Sequence, residues 1–455
     1  MSLEKTVHIV GGGLAGSEAA YQCLRAGHEV VLHEMRPVKL TAAHQTGNLA
    51  ELVCSNSLKS MLPDSAPGLL KYEMSKFGSL ILEAAEYARV PAGQALAVDR
   101  EKLSGRVEEV LKSFTKFKRL SEEVTELPSV EQLAARNEVW IVATGPLTAS
   151  GLLDHLKRYC RDEKNLYFYD AIAPIIDADT INFDEGFWAS RYDDGAEGDY
   201  FNIPLNKEEY YRFVDDVAAA EKAPLHDFEE AKFFEACLPI EVMIERGRDT
   251  LRFGPMKPVG LNDPRTGRRP YAAIQLRKEN TDATMLGMVG FQTKMTWTEQ
   301  KRIFATLPCL REAQFHRFGS IHRNTYFHSP NILNTNLSFK EAPGVFLAGQ
   351  ITGVEGYTES SAMGLLAGLS ASAYLNNAIF KMPPKTTMIG ALHNYVTQGS
   401  PWDFQPMNVN LGLLPRIHAD APKQERKKLS CEVARAQYDV YFSGLGEKPE
   451  TQPGL

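Results

Sequence analysis

Near its start the chain reads Val7-His8-Ile9-Val10-Gly11-Gly12-Gly13-Leu14-Ala15-Gly16, and no other run constrains the fold as much. Apolar residues suited to a buried strand lead into Gly-x-Gly-x-x-Gly, followed by a helical pattern that Gly27 stops. The order has a mechanical cause. Gly11 permits a tight turn, Gly13 lets the backbone approach a pyrophosphate, and Gly16 allows close helix–strand packing. Gly12, Leu14 and Ala15 fill out the turn and open the helix, whose unpaired N–H groups and positive dipole end face the phosphates. Eighteen residues beyond Gly16, Glu34 closes a second apolar strand, Glu29-Val30-Val31-Leu32-His33, and is placed to accept a hydrogen bond from a ribose hydroxyl. The expectation is an α/β fold with a Rossmann-like dinucleotide site.

Two later segments narrow the dinucleotide to FAD. Trp140-Ile141-Val142-Ala143-Thr144-Gly145-Pro146 is an apolar strand ending in Ala-Thr-Gly. Gly344-Val345-Phe346-Leu347-Ala348-Gly349-Gln350 is a short strand, followed by Ile351-Thr352-Gly353 and a small-residue helix from about Ser360. In two-dinucleotide-type flavoproteins such strands lie near the adenine half and the flavin ribityl chain. The helix that follows aims its positive end at the flavin, favouring negative charge there. Thr144, Gly145, Gly349, Gln350 and Gly353 are therefore candidate cofactor contacts, and the expected architecture is the glutathione-reductase type. No second Gly-x-Gly-x-x-Gly appears, so a nicotinamide nucleotide, NADH or NADPH, would visit without a domain of its own.

The 455 residues suffice for two or three domains. The first FAD-binding portion is expected over 1–175 and a smaller inserted α/β domain over 176–330. The second FAD-binding portion would cover 331–445, with a disordered tail over 446–455. Six dispersed cysteines without metal-ligand spacing suit a reduced cytoplasmic protein. No run of 18 apolar residues and no room for a signal peptide before the first strand argue against membrane insertion and secretion. The net charge is −7, yet residues 246–278 hold nine basic residues (Arg246, Arg248, Arg252, Lys257, Arg265, Arg268, Arg269, Arg277, Lys278) against Asp249 and Asp263. Lys112, Lys116, Lys118 and Arg119 form a smaller cluster. Such stripes are ordinarily solvated faces, but they also fit an RNA phosphate backbone, which responds to local potential.

Cys54 sits in Glu51-Leu52-Val53-Cys54-Ser55-Asn56-Ser57-Leu58-Lys59, and Cys237 in Cys237-Leu238-Pro239-Ile240-Glu241. Read alone, each fits a buried, inert thiol. With Glu34-Met35-Arg36-Pro37, Leu251-Arg252-Phe253-Gly254-Pro255-Met256-Lys257-Pro258-Val259-Gly260-Leu261 and Gly349-Gln350-Ile351-Thr352-Gly353-Val354-Glu355-Gly356-Tyr357, the chain resembles the folate- and FAD-dependent tRNA (uracil-5-)-methyltransferase family from about residue 5 to 445. The larger FAD protein of tRNA wobble-uridine modification is a more distant likeness. Gln45 and Lys59 depart from that family pattern, where His and Arg are expected.

The resemblance implies methylation of the T-loop uridine of tRNA, position 54, with 5,10-methylenetetrahydrofolate as carbon donor. It also implies FAD, reduced by NAD(P)H, as reductant. It places function on both cysteines and makes Arg36 a cofactor contact. Uracil C5 becomes nucleophilic once a thiolate adds at C6, and a second group must then remove the C5 proton. Cys237 is assigned the first role and Cys54 the second, with the exchanged assignment open. Lys59 is one candidate cation near Cys54, and the 246–278 stripe a supplier of charge for folate and RNA. The same chemistry on a ribosomal RNA uridine, a small-molecule FAD oxidoreductase and an RNA-binding flavoprotein without methyl transfer remain alternatives at this level.

Overall fold

The computed structural model describes residues 5–41, 43–160, 166–191, 198–223, 238–400, 404–415 and 422–445. Strand β1 (Thr6–Val10), helix α1 (Leu14–Arg25) and strand β2 (Glu29–His33) form where the apolar runs and Gly27 place them. Gly27 ends α1 with φ of +87°, a left-handed geometry that costs glycine little.

β1 lies at the centre of a five-stranded parallel sheet. In order across the sheet the strands are Val345–Leu347, Glu138–Val142, β1, β2 and Phe117–Leu120. The strand order reverses between β1 and Glu138–Val142, and open α/β sheets bind ligands at that switch point, beyond the carboxyl ends of the strands. Val7, Ile9, Val30, Leu32, Val139, Ile141, Val345 and Leu347 are all fully buried, as a parallel sheet covered on both faces requires.

α1 packs along the helix Tyr357–Leu375 with backbones close together. A Cβ on Gly364 would stand 2.2 Å from the Ala15 carbonyl oxygen, and one on Gly368 2.8 Å from that of Ala19. Both helices begin at the same end of the sheet. The second starts at Tyr357, three residues before the sequence expectation, because Gly356 (φ +116°) turns the chain into it.

A six-stranded antiparallel sheet is built from residues between 175 and 317, in the order Phe187–Trp188, Tyr200–Leu205, Ala272–Lys278, Met285–Met288, Ile175–Asp177, Phe315–Arg317. The helices Lys207–Ala219 and Trp297–Phe304 bury Tyr210, Phe213, Val217, Ile303 and Phe304 with Phe201, Ile274 and Leu276 of that sheet. This core is separate from the one around the parallel sheet. An antiparallel ribbon, Leu166–Ile172 with Ser320–Tyr326, forms a separate two-stranded sheet. Among the described residues no helix is long and apolar enough to cross a membrane.

Candidate functional site

An open cleft of about 1030 Å³ lies at the switch point of the parallel sheet. Gly11, Gly13, Leu14, Ala15, Glu34, Arg36, Thr144, Gly145 and Gln350 line it, with His33, His44, Glu51, Val53, Tyr357 and Ser360. Four other residues expected at the cofactor act from behind this lining. The Gly12 N–H donates to Glu34 Oε2 at 2.7 Å. A Cβ on Gly16 would stand 1.9 Å from the Gly11 carbonyl oxygen, one on Gly349 2.6 Å from Ala15 Cβ, and one on Gly353 2.5 Å from the Phe404 ring. These three glycines permit close packing. Gly13 differs: a Cβ there meets nothing within 4 Å and would project into open space.

Neither α1 nor the helix Tyr357–Leu375 receives a side-chain cap, and residues of both first turns line the cleft. The N–H groups of a helix's first turn lack intrahelical partners and carry partial positive charge. Two uncapped N-termini therefore converge on one cavity, the arrangement a dinucleotide pyrophosphate and an electron-accepting ring require. The donors, the glycine cradle at Gly13 and the cleft's extent all fit FAD.

Glu34 is held in a buried network. Arg36, only 2% exposed, donates from Nε to Glu34 Oε1 (2.9 Å), from Nη2 to Glu34 Oε2 (3.0 Å) and from Nη1 to Glu51 Oε2 (2.9 Å). Burial pushes the Glu34 carboxyl up, but the hydrogen bonds and charge of Arg36 outweigh it, so the group is held below its ordinary range. Glu51 also accepts from the Gln45 and Thr46 backbone N–H groups at 2.8 and 3.1 Å. At Gln45 the backbone makes this contact, so the family departure there leaves it intact. Burial, then the Arg36 charge, pushes His44 down to about 4.

Cys54 is half-buried and adjoins the cleft through its neighbour Val53. Its loop is clamped from three directions. Tyr357 Oη accepts the Cys54 and Ser55 backbone N–H groups at 2.7 and 3.1 Å. Arg100 donates to the Leu52 and Cys54 carbonyls at 2.8 and 3.3 Å while paired with Glu279 at 2.8 Å. Arg317 Nη1 donates to the Val53 carbonyl at 2.6 Å. Lys59 is not the cation of this loop: its ammonium bonds Glu359 Oε1 (2.8 Å) and Asn408, tying the strand Ser57–Ser60 to the helix at Tyr357. The cations that hold the cysteine loop are Arg100 and Arg317. Cys237 lies outside the described residues, as does the 446–455 tail.

The 246–278 stripe is less uniform than its composition implies. Arg248 pairs with Asp215 (2.6 Å), Arg265 with Asp263 (2.7 Å) and Arg277 with Glu279 (3.7 Å). Arg277 is buried. These three contacts reduce the charge the stripe presents outward.

Comparison with known proteins places this architecture. The family model described as "Glucose inhibited division protein A" matches residues 6–378. A curated relative from Syntrophus aciditrophicus, named methylenetetrahydrofolate–tRNA-(uracil-5-)-methyltransferase TrmFO, is 50% identical over 94% of this chain and 95% of its own length. A relative of the same name from Aquifex aeolicus is 50% identical over 98% of this chain and 99% of its own. The chain belongs to the TrmFO family. The solved structure of Aquifex aeolicus GidA (form II crystal) shares the fold, with a TM-score of 0.69 at 16% identity, covering 98% of this chain and 74% of that one. The fold of this TrmFO-family chain is thus the FAD-binding Rossmann type expected from its glycines. Sequence reasoning had not singled out Tyr357, Arg100, Arg317 or Glu51 as site residues. Tyr357 stood inside a recognised motif, but nothing local marked the arginines, whose partners are distant in sequence.

Proposed function

We propose that the chain methylates C5 of the T-loop uridine of tRNA, position 54, with 5,10-methylenetetrahydrofolate as one-carbon donor and FAD, reduced by NADH or NADPH, as reductant. The observation that carries this reading is near-full-length identity of about half to TrmFO relatives, joined to a switch-point cleft that brings the Cys54 loop to the dinucleotide fingerprint. In this reading residues 1–175 and 331–445 form the FAD-binding part and 176–330 the insertion, and the enzyme works in the cytoplasm.

Bound and reduced FAD supplies the two electrons that take a folate methylene to the methyl level. Gly13, Leu14 and Ala15 offer backbone N–H groups to the pyrophosphate, and Gly11, whose own N–H donates to the His33 carbonyl at 2.8 Å, turns the chain so that it can approach. Glu34, ordered by Arg36 and Gly12, accepts from the ribose. Thr144 and Gly145 lie toward the adenine half, and Gly349, Gln350 and Gly353 shape the flavin side. Gly12 and Gly16 hold α1 against the sheet. The Cys237 thiolate adds to uracil C6, which places electron density at C5. After the methyl arrives, Cys54 takes the C5 proton and the C6–sulfur bond breaks, restoring the ring and the Cys237 thiolate. Arg100, Arg317 and Tyr357 fix the backbone that presents Cys54.

The test incubates the purified protein with unmodified tRNA transcript, methylenetetrahydrofolate and NADPH, and measures 5-methyluridine by nucleoside mass spectrometry. Folate-dependent product in the T-loop is expected. With Cys237→Ala, flavin and fold should persist while methyl transfer stops. Product on ribosomal RNA alone, or none on either RNA from a flavin-loaded enzyme, overturns the reading.

A further inference from the structure

A hollow of about 940 Å³ lies on the insertion, away from the cysteine loop. It is walled by Arg252, Phe253, Lys257, Val259, Arg269 and Tyr271. Phe253 is 81% exposed, the most exposed large apolar side chain among the described residues, and Val259 is also exposed. Beside them the Arg252 guanidinium lies 3.7 Å from the Tyr271 ring centroid, fixed there because its Nε donates to the Tyr271 carbonyl at 3.0 Å. The floor is thus a rigid cation–aromatic pair next to a bare phenyl ring.

The charged residues that wall this floor are basic. Asp249 and Asp263 are the acids of the stripe, and both are occupied. Asp249 accepts from the Tyr211 hydroxyl (3.0 Å) and faces Arg252 (3.7 Å), while Asp263 is held by Arg265. Arg268 and Arg269 are exposed, and neither side chain has an ion-pair or hydrogen-bond partner among the described residues. On a chain of net charge −7 this is a concentrated positive surface built around one exposed ring, Phe253, and the half-buried Tyr271. A single-stranded nucleic acid presents the matching chemistry, because every base has a stacking face and every linkage an anion. An acidic peptide would satisfy the arginines and leave Phe253 bare.

We propose that this hollow is a second RNA contact, seating one unpaired base of the substrate against Phe253 with its flanking phosphate on Arg269. The inference rests on the RNA reading above and adds where the RNA is held. Tyr271 precedes the strand Ala272–Lys278, whose far end accepts, at the Lys278 carbonyl, a hydrogen bond from Asn56 of the cysteine loop. Seven extended residues separate the two by about 23 Å. The nucleotide in the hollow is therefore a different one from the uridine that reacts.

The test uses the full-length, flavin-loaded enzyme and unmodified tRNA transcript, comparing wild type with Phe253→Ala, Phe253→Trp and Arg269→Gln. Phe253→Ala is expected to raise the tRNA Kd and KM about tenfold or more, with kcat within about twofold. Phe253→Trp should restore binding. Arg269→Gln should weaken binding and lower the slope of log Kd against log salt by about 0.7. Flavin content, melting temperature and KM for methylenetetrahydrofolate should not move. If the wild type methylates tRNA while the Phe253→Ala and Arg269→Gln variants bind it as tightly, the hollow is refuted and the enzymatic reading stands. If Phe253→Ala lowers kcat at unchanged KM, the hollow is likewise refuted. If the wild type binds tRNA through Phe253 yet makes no 5-methyluridine, the hollow stands and the enzymatic reading falls. Absence of tRNA binding by the wild type overturns both.

Discussion

Two glycines of the same turn should fail in opposite ways when each is replaced by alanine. Gly13 caps α1 with φ −72° and ψ −170°, a conformation open to any residue, and its added Cβ meets no atom within 4 Å. Gly13→Ala should leave the flavin-free protein within about 0.5 kcal/mol of wild type. The new methyl projects into the space where a pyrophosphate must approach the backbone. Losing one or two charge-assisted hydrogen bonds there, each about 1.5–3 kcal/mol, corresponds to a fall in flavin affinity on the order of 10-fold to 10⁴-fold. Gly16→Ala drives a Cβ to 1.9 Å from the Gly11 carbonyl oxygen, a contact that only backbone movement relieves. Overpacking of this kind costs about 1–3 kcal/mol or more, so this variant should melt lower before any ligand is added. The assay pairs thermal unfolding of the deflavinated proteins with flavin titration of each. A Gly13→Ala protein that binds FAD as tightly as wild type would refute the assignment of the α1 N-terminus as the pyrophosphate seat. A Gly16→Ala protein with wild-type melting would refute the packing argument.

Arg36→Met strands the Glu34 and Glu51 carboxylates, and unpairing a buried charge costs about 3–5 kcal/mol. The drop in melting temperature should be largest at neutral pH. It should shrink as acid protonates Glu34, because a depressed carboxylate stabilises above its ordinary pKa of 4.5 and ceases to as pH falls through its folded value. Tyr357→Phe removes the acceptor of the Cys54 and Ser55 N–H groups, at about 1–3 kcal/mol for each donor left unpaired. Faster amide exchange in the peptide carrying Cys54 is expected, and unchanged exchange would deny the clamp. Burial, followed by the His33 and Arg136 charges, pushes His8 down to about 4 from 6.5. The unfolded chain takes a proton there that the folded chain refuses, so stability held above pH 6.5 is lost as pH falls toward 4, by up to about 3 kcal/mol. His8→Phe, which keeps a ring against Trp140, should flatten that acid slope in melting temperature.

The parts of this molecule legible in its sequence are those whose cause is local. A strand, a glycine turn and a helix lie within twenty residues, and a nearby backbone demands Gly11 and Gly16, while a left-handed φ of +87° demands Gly27 at the helix stop. The turn at Gly11, the close packing at Gly16 and the helix stop at Gly27 are therefore legible from the sequence and present in the fold. The helix at Tyr357 begins three residues before the sequence pattern places it, because Thr358-Glu359-Ser360 carries no apolar periodicity and the start is set by the turn at Gly356. The cysteine loop was beyond reach for a different reason. Arg100 and Arg317 stand 46 and 264 residues from the carbonyls they hold, and Lys59 stands 300 residues from Glu359. Side-chain pairing across such separations leaves no periodic trace. Composition also overstated the basic stripe, since counting charges cannot show that Arg248 is paired with Asp215 on the helix Lys207–Ala219.

The contacts of that loop bear on why an antiparallel insertion interrupts a dinucleotide-binding fold at all. Arg317 reaches Val53 from the edge strand of the antiparallel sheet, and Asn56 bridges the Val98 and Lys278 carbonyls, one from each side. Arg100, beside the parallel sheet, pairs with Glu279 just past the strand Ala272–Lys278. Cys54 is thus carried on backbone that neither sheet positions alone. Burial pushes the Arg317 guanidinium down from its ordinary pKa, with the Arg100 charge adding to the effect. A guanidinium in that setting is kept where geometry requires it, since a looser surface arginine would form the same single carbonyl bond at less desolvation cost. On this argument the insertion does more than carry the proposed RNA contact. It sets the position of the thiol relative to the dinucleotide cleft, so methyl transfer should be sensitive to how the insertion seats on the cysteine loop even when flavin binding is not.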